Sequence, residues 1–235
     1  MRAAAALLFS WTGALLFVLS LAYFLLAYLT WFGTATSDGT TSTAVTWNVT
    51  LFTAFALHHS LLARGRMRQW VAHLVRPELE RSVYVWIASL LFIVVCAAWR
   101  PVPGTAWQAD GIALWSLRAV QAAGLWLIAR SAAILDVWEL AGLRPQAPGP
   151  RQRPQAEFTT RGPYGWVRHP IYAGWFLFVF AASPMTMTRL VFAIVSAAYL
   201  LIAIPFEERT LRAGAGGAYD RYVAVVRWRL LPGVY

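Results

Sequence analysis

AAAALLFSWTGALLFVLSLAYFLLAYLTWF occupies residues 3 to 32 and contains no charged side chain. A helix rises about 1.5 Å per residue and the hydrocarbon core of a bilayer is about 30 Å thick, so roughly 20 apolar residues cross it. A secretory signal peptide has an apolar core of only ~7–15 residues before a small-residue cleavage site. This run is too long for that and reads as a first transmembrane helix.

The same texture recurs along the chain. Ala44 to Leu62, Ser82 to Trp99, Ile112 to about Leu135, Ile171 to Ala182 and Thr188 to Phe206 are further apolar blocks. Across its 235 residues, 59% are hydrophobic and only 13% charged, and the mean hydropathy is +0.54. No ordinary soluble domain has that balance. The expected fold is all-α: one integral membrane domain over residues 1–235, with about six transmembrane helices.

The connectors are polar. Thr34 to Thr43 is a short loop, and Arg100-Pro101-Val102-Pro103-Gly104 is a turn by its prolines and glycine. Arg64 to Arg81 carries arginines at 64, 66, 68, 76 and 81 against Glu78 and Glu80. Asp136 to Arg168 is the longest polar segment, and the four prolines between Pro145 and Pro154 exclude regular helix there.

The formal net charge is +10, and all 20 basic residues are arginine. In a soluble protein this would raise nucleic acid as a partner. Here the arginines cluster between apolar blocks, which points instead to orientation in the membrane and contact with lipid. With six spans and a cytoplasmic amino terminus, sixteen of the 20 arginines fall on the cytoplasmic side, as the positive-inside rule requires. Both termini are then cytoplasmic, in a membrane expected to be the bacterial inner membrane. The single cysteine, Cys96, lies in an apolar block, which excludes an intrachain disulfide and a cysteine-based metal site. It reads as a small buried hydrophobe rather than a reactive thiol.

Polar chemistry concentrates at one place, Arg161-Gly162-Pro163-Tyr164-Gly165-Trp166-Val167-Arg168-His169-Pro170-Ile171-Tyr172-Ala173-Gly174. Proline at the first helical position suits the start of the fifth apolar block, so a plain helix start with interfacial anchors accounts for part of it. The flanking tyrosines and a carboxylate pair, Glu207-Glu208, at the end of the next block go beyond that. Carboxylates at a helix C-terminus oppose the helix dipole and ask for a cationic partner. Arg161, Arg168 and a cationic ligand all qualify. A sulfonium compound matches the set, with carboxylate for its positive groups, arginine for a carboxyl group and aromatic faces for cation–π contact.

His58-His59, near the cytoplasmic end of the second block, are candidate proton acceptors, since imidazole titrates near neutrality. A capping or interfacial histidine is the competing reading. With four histidines and no carboxylate close by in sequence, no metal is expected. Ala213-Gly214-Ala215-Gly216-Gly217 follows no strand, so it is not a dinucleotide-binding loop, and no P-loop or nucleophile elbow is present. Arg118, Arg130, Asp136 and Glu139 stay open between lining a site, capping or pairing within a helix, and snorkelling.

These residues resemble the isoprenylcysteine carboxyl methyltransferase superfamily. The likeness rests on Gly162-Pro163-Tyr164, on Arg168-His169-Pro170-Ile171-Tyr172-Ala173-Gly174, and on Glu207-Glu208 followed by Leu211, Gly216, Tyr219 and Tyr222. The superfamily comprises membrane methyltransferases that use S-adenosylmethionine, and includes phospholipid methyltransferases and NnrU-type proteins. His59-Ser60-Leu61-Leu62-Ala63-Arg64, Glu80-Arg81-Ser82-Val83-Tyr84-Val85, Ser183-Pro184-Met185-Thr186-Met187-Thr188 and Phe206-Glu207-Glu208-Arg209 are similar to the bacterial methanethiol S-methyltransferase branch.

The resemblance implies a cofactor-binding core over about residues 157–235, with Tyr164, His169, Pro170, Tyr172 and Glu207 touching S-adenosylmethionine. Glu208 and Phe158, the latter within Glu157-Phe158-Thr159, are added as neighbouring candidates. Ala203 stands where the isoprenylcysteine enzymes have a substrate-contacting arginine, which argues against a prenylcysteine acceptor, and Ala215 replaces an aromatic residue.

The expected reaction is methyl transfer to a small thiol, methanethiol giving dimethyl sulfide. His59 or His58 would take the thiol proton, and Arg168 would hold the cofactor carboxylate or orient His169. Two other readings stay open: a lipid-like acceptor (a prenylcysteine carboxyl or a phospholipid amine), and a non-catalytic NnrU-like membrane protein.

Overall fold

The computed structural model describes residues 2–37, 39–63, 75–76, 79–135, 137–143, 158–215 and 217–235. Most of the Arg64–Arg81 connector, the proline-rich stretch to Pro154, Asp136, Glu157 and Gly216 lie outside the described residues, as does the side chain of Glu139. The chain forms helices α1 Arg2–Leu29, α2 Thr41–Ala63, α3 Glu80–Ala97, α4 Gly111–Ala132, α5 Val137–Leu140, α6 Pro170–Phe180, α7 Met187–Gly214 and α8 Ala218–Val225. Two 3-10 turns, Trp31–Gly33 and Gly162–Gly165, and two short strands, Thr105–Trp107 and Met185–Thr186, complete it.

Each of the six apolar blocks forms a helix. Four stretches are long and apolar enough to cross a membrane: Ala4–Gly33, Glu80–Ala97, Gly111–Ala132 and Met187–Gly214. α2 is 23 residues long but is diluted by Thr41, Thr43, Thr46, Asn48, Thr50 and Thr53. α6, at 11 residues, is shorter than the roughly 20 that a perpendicular crossing needs. On α1, Leu7, Leu8, Trp11, Leu15, Val18 and Leu19 are all more than half exposed, an apolar surface on a scale that suits lipid rather than water. This is an integral membrane protein.

The chain divides into two compact units. The first comprises Met1–Ala106, Asp136–Gly149 and Thr186–Phe192. Water is absent from a bilayer core, so buried polar groups there must find protein partners. The Ser82 hydroxyl lies 2.8 Å from that of Ser10 and donates to the Gly142 carbonyl, and the Trp86 indole donates to the Phe9 carbonyl. Buried Asn48 closes two 2.8 Å bonds on the backbone of Arg100 just beyond α3. Arg189, 1% exposed, donates to the Tyr28 and Leu29 carbonyls at the end of α1, where a cation meets the negative end of the helix dipole. Cys96 is fully buried and free.

The second unit comprises Trp107–Leu135, Pro150–Met185 and Ala193–Tyr235. α4 and α6 touch backbone to backbone at Gly124 and Gly174, where a Cβ on either glycine would lie 2.6 Å from the other's carbonyl oxygen. Small residues permit this approach, and close van der Waals packing is what holds helices together in lipid. Arg118, one of the residues the sequence leaves open, donates to Gln121 Oε1 and to the Ser183 carbonyl, while Gln121 Nε2 donates to the Phe178 carbonyl. It therefore satisfies carbonyls near the end of α6. Arg130 lies exposed in the last turn of α4, where a cation favours the dipole.

The sequence closes the sixth block, Thr188 to Phe206, with Glu207-Glu208-Arg209 at its helix C-terminus. α7 instead runs on to Gly214, with Pro205 inside it, so both glutamates are helical. Glu207, Glu208, Arg209, Leu211, Arg212 and Ala213 all have good helix propensity, and loss of hydropathy does not by itself end a helix. The backbone turns at Gly217, with φ 83, before α8 begins.

Candidate active site

The second unit brings together most of the residues singled out in the sequence. Gly162 has φ 55, a conformation that glycine adopts at little cost, and it opens the 3-10 turn that carries Pro163 and Tyr164. Trp166 and Val167 amides close the turn on the Pro163 carbonyl. Arg168 N then donates to the Trp228 carbonyl and His169 N to that of Arg229. Pro170, buried, starts α6. Val167, Ala173, Ile204 and Leu230 form the apolar core behind these residues, with Leu127, Tyr172 and Phe176 packed on it.

Glu207 and Glu208 are neighbours on α7, so their side chains leave the helix about 100° apart and meet different surroundings. Glu208 is fully buried. Its Oε1 accepts from Arg168 Nε at 2.7 Å, and its Oε2 accepts from Arg229 Nε at 3.2 Å and Nη2 at 3.1 Å. Arg168 also donates through Nη1 to the Val226 and Arg227 carbonyls. A buried carboxylate is tolerated only when paired in this way.

Glu207 keeps 30% of its side chain exposed and accepts from the Tyr172 hydroxyl at 2.8 Å. His169 sits between the pair, with Nε2 3.4 Å from Glu208 Oε1 and Nδ1 3.9 Å from Glu207 Oε2. Its ring lies parallel to that of Tyr172, with centroids 5.4 Å apart.

Phe158, Tyr219 and Tyr222 form an aromatic cluster beside the carboxylates, with Phe158 edge-on to Tyr219 at 4.9 Å. The Tyr222 hydroxyl donates to the Tyr164 carbonyl at 2.8 Å, tying α8 to the 3-10 turn. Burial pushes the Tyr222 phenol up to about 12, opposed by nearby Arg168 and aided by Glu208. Burial also raises Tyr164, with Tyr222 and Glu207 adding to it. Both phenols are therefore neutral hydrogen-bond donors at physiological pH. Among the described residues, no three His, Cys, Asp or Glu side chains gather as a metal would require.

His58 and His59 belong to the first unit. The Tyr84 hydroxyl lies 3.0 Å from His59 Nδ1, and Arg81 stands over the Tyr84 ring at 5.0 Å. His58 stacks on Tyr84, and neither of its ring nitrogens has a partner among the described residues. Sequence reasoning missed Arg229, whose only signal was a basic, aromatic tail.

The arrangement defines a helical membrane protein with one deeply buried, charge-paired carboxylate beside a more accessible one. The Isoprenylcysteine carboxyl methyltransferase (ICMT) family matches residues 150–213. A Methanethiol S-methyltransferase 2 of Bradyrhizobium diazoefficiens is 38% identical over 76% of this chain and 70% of its own length. The Methanethiol S-methyltransferase of Mycobacterium tuberculosis is 36% identical over 76% of this chain and 75% of its own, and that of Crocosphaera subtropica is 36% identical over 77% and 72%. No solved structure matches the chain at a significant level. The chain belongs to the isoprenylcysteine carboxyl methyltransferase-like family and is a membrane methyltransferase.

Proposed function

We propose that the chain transfers the methyl group of S-adenosyl-L-methionine to a small thiol, converting methanethiol to dimethyl sulfide. The observation that carries the donor assignment is Glu207, 30% exposed, beside Tyr172 and the buried His169 ring stacked on it. A partly exposed carboxylate beside stacked aromatic rings is the donor set that a ligand with ammonium and sulfonium charges asks for. When bound, S-adenosyl-L-methionine supplies a methyl group made electrophilic by its sulfonium sulfur.

Glu207, Tyr172, His169 and Tyr164 bind and orient the donor, while Pro170 and Phe158 shape the wall behind them. Alignment of this kind is worth up to ~7–11 kcal/mol of the barrier. Arg168 faces Glu208 and backbone carbonyls, and Glu208 faces Arg168 and Arg229, so their role is to hold His169 and α7 in place. The acceptor thiol loses its proton to His59 or His58. Its sulfur then forms a bond to the methyl carbon as the carbon–sulfonium bond breaks, leaving that electron pair on the donor sulfur. Attack of a thiolate on a cation neutralises charge, which apolar surroundings favour.

The small-thiol acceptor is supported by the relatives' names and by Ala203, which offers no charge to a prenylcysteine carboxyl. The arginine distribution supports six spans, cytoplasmic termini and a cytoplasmic-side site in a bacterial inner membrane.

The purified protein in detergent, given labelled donor and methanethiol, is expected to form dimethyl sulfide. Turnover of a prenylcysteine or phospholipid acceptor with none of methanethiol would overturn the acceptor assignment. Calorimetry is expected to show donor binding that weakens about 2- to 12-fold in Tyr172→Phe, the loss of one hydrogen bond worth ~0.5–1.5 kcal/mol. Unchanged affinity there would remove Tyr172 from the donor face.

A further inference from the structure

We propose that Arg229, braced by Tyr235, is a positioning residue for the donor-binding face. It lies beyond residues 150–213, where the family match ends, and the inference rests on the donor site proposed above.

Arg229 holds His169 from two directions. Its carbonyl accepts the His169 amide at 2.9 Å, which sets the backbone at the start of α6. Its guanidinium makes a two-nitrogen contact with Glu208 Oε2, and the other oxygen of Glu208 lies 3.4 Å from His169 Nε2. A planar guanidinium fixes both the position and the rotation of a carboxylate, which an ammonium group does not. The ring of His169 stacks on Tyr172, and the Tyr172 hydroxyl orients Glu207. The chain of contacts thus runs from Arg229 through Glu208 and His169 to the carboxylate proposed to meet the donor.

Arg229 is itself held. Its Nη1 donates to the Tyr235 hydroxyl at 3.0 Å, and its guanidinium lies over the Tyr235 ring at 5.1 Å. The amides of Arg229, Leu230 and Leu231 all donate to the Tyr235 carbonyl, closing a tight turn. Leu230, within that turn, is buried in the core with Val167, Ala173 and Ile204. The side chain of Arg229 is 30% exposed, so without this brace water would compete for it.

The test uses the full chain in detergent, with S-adenosyl-L-methionine as the calorimetric probe. Arg229→Ala is expected to weaken donor binding about 10- to 100-fold and to raise the donor KM, with little change in the thiol KM. Arg229→Lys is expected to recover only part of the affinity, and millimolar guanidinium is expected to restore binding to Arg229→Ala. Tyr235→Phe removes one hydroxyl and leaves the core intact, with an expected 2- to 5-fold loss. If Arg229→Ala does not fold, Tyr235→Phe decides: unchanged donor affinity there overturns the proposal. Wild-type affinity in a folded Arg229→Ala also overturns it. Failure of the wild type itself to bind the donor refutes the donor-site reading instead.

Discussion

Glu208→Gln separates the buried, charge-paired carboxylate from the one proposed to meet the donor. The substitution keeps the shape of the side chain and removes its charge, leaving Arg168, whose side chain is 6% exposed, buried without a counter-ion. Breaking a buried ion pair from one side costs roughly 3–5 kcal/mol. The contact to Arg229, 30% exposed, adds no more than about 1 kcal/mol, because solvent screens it. For a domain of this size each kcal/mol moves Tm by about 2–4 °C, so the expected fall is about 6–24 °C.

The control is Glu207→Gln, where a carboxylate 30% exposed loses its charge and its bond from the Tyr172 hydroxyl becomes a neutral one. That costs about 1 kcal/mol, or about 2–4 °C. Thermal unfolding in detergent, followed by tryptophan fluorescence and by the fraction remaining monodisperse, measures both variants. Glu207→Gln is expected to lose donor affinity while melting almost normally, and Glu208→Gln the reverse in emphasis. A Glu208→Gln protein melting within about 2 °C of the wild type refutes the reasoning, since the buried pair would then not be holding the unit together.

Gly174→Val places a branched side chain where a Cβ alone would stand 2.6 Å from the Gly124 carbonyl. α4 and α6 must then separate, and a loss of ~1–3 kcal/mol or more is expected in the same melting assay, with an unchanged Tm counting against the crossing. For pH, the folded state raises the Tyr222 phenol from 10.0 to about 12. The native form therefore holds its proton more tightly, so this stabilisation is complete below pH 10 and is lost as pH rises through 12. Tm measured from pH 9 to 11.5 is expected to fall in the wild type and to fall less steeply in Tyr222→Phe; equal slopes would contradict the assignment.

The sequence by itself determined the membrane environment, the number of helical blocks and the stretches where polar chemistry gathers. Those depend on hydropathy and on short-range chemistry: thirty uncharged residues leave few alternatives to a spanning helix, and Arg168-His169-Pro170 marks a helix start. Its boundary for α7 was eight residues short, because the end of an apolar run is not the end of hydrogen bonding along a helix.

Only the tertiary structure decided what each carboxylate meets. Glu207 and Glu208 are the same residue type, side by side, and equal in any reading of the string. A turn of 100° on α7 carries one to Tyr172 with a third of its side chain exposed, and the other into a pocket of arginines. The partners that fill that pocket come from 168 and 229, which are 40 residues before and 21 after Glu208. Electrostatic pairing acts through space over a few ångströms, and no local pattern encodes it. The same physics places Arg118 on the Ser183 carbonyl and on Gln121, whose amide reaches the Phe178 carbonyl, where sequence left its role open.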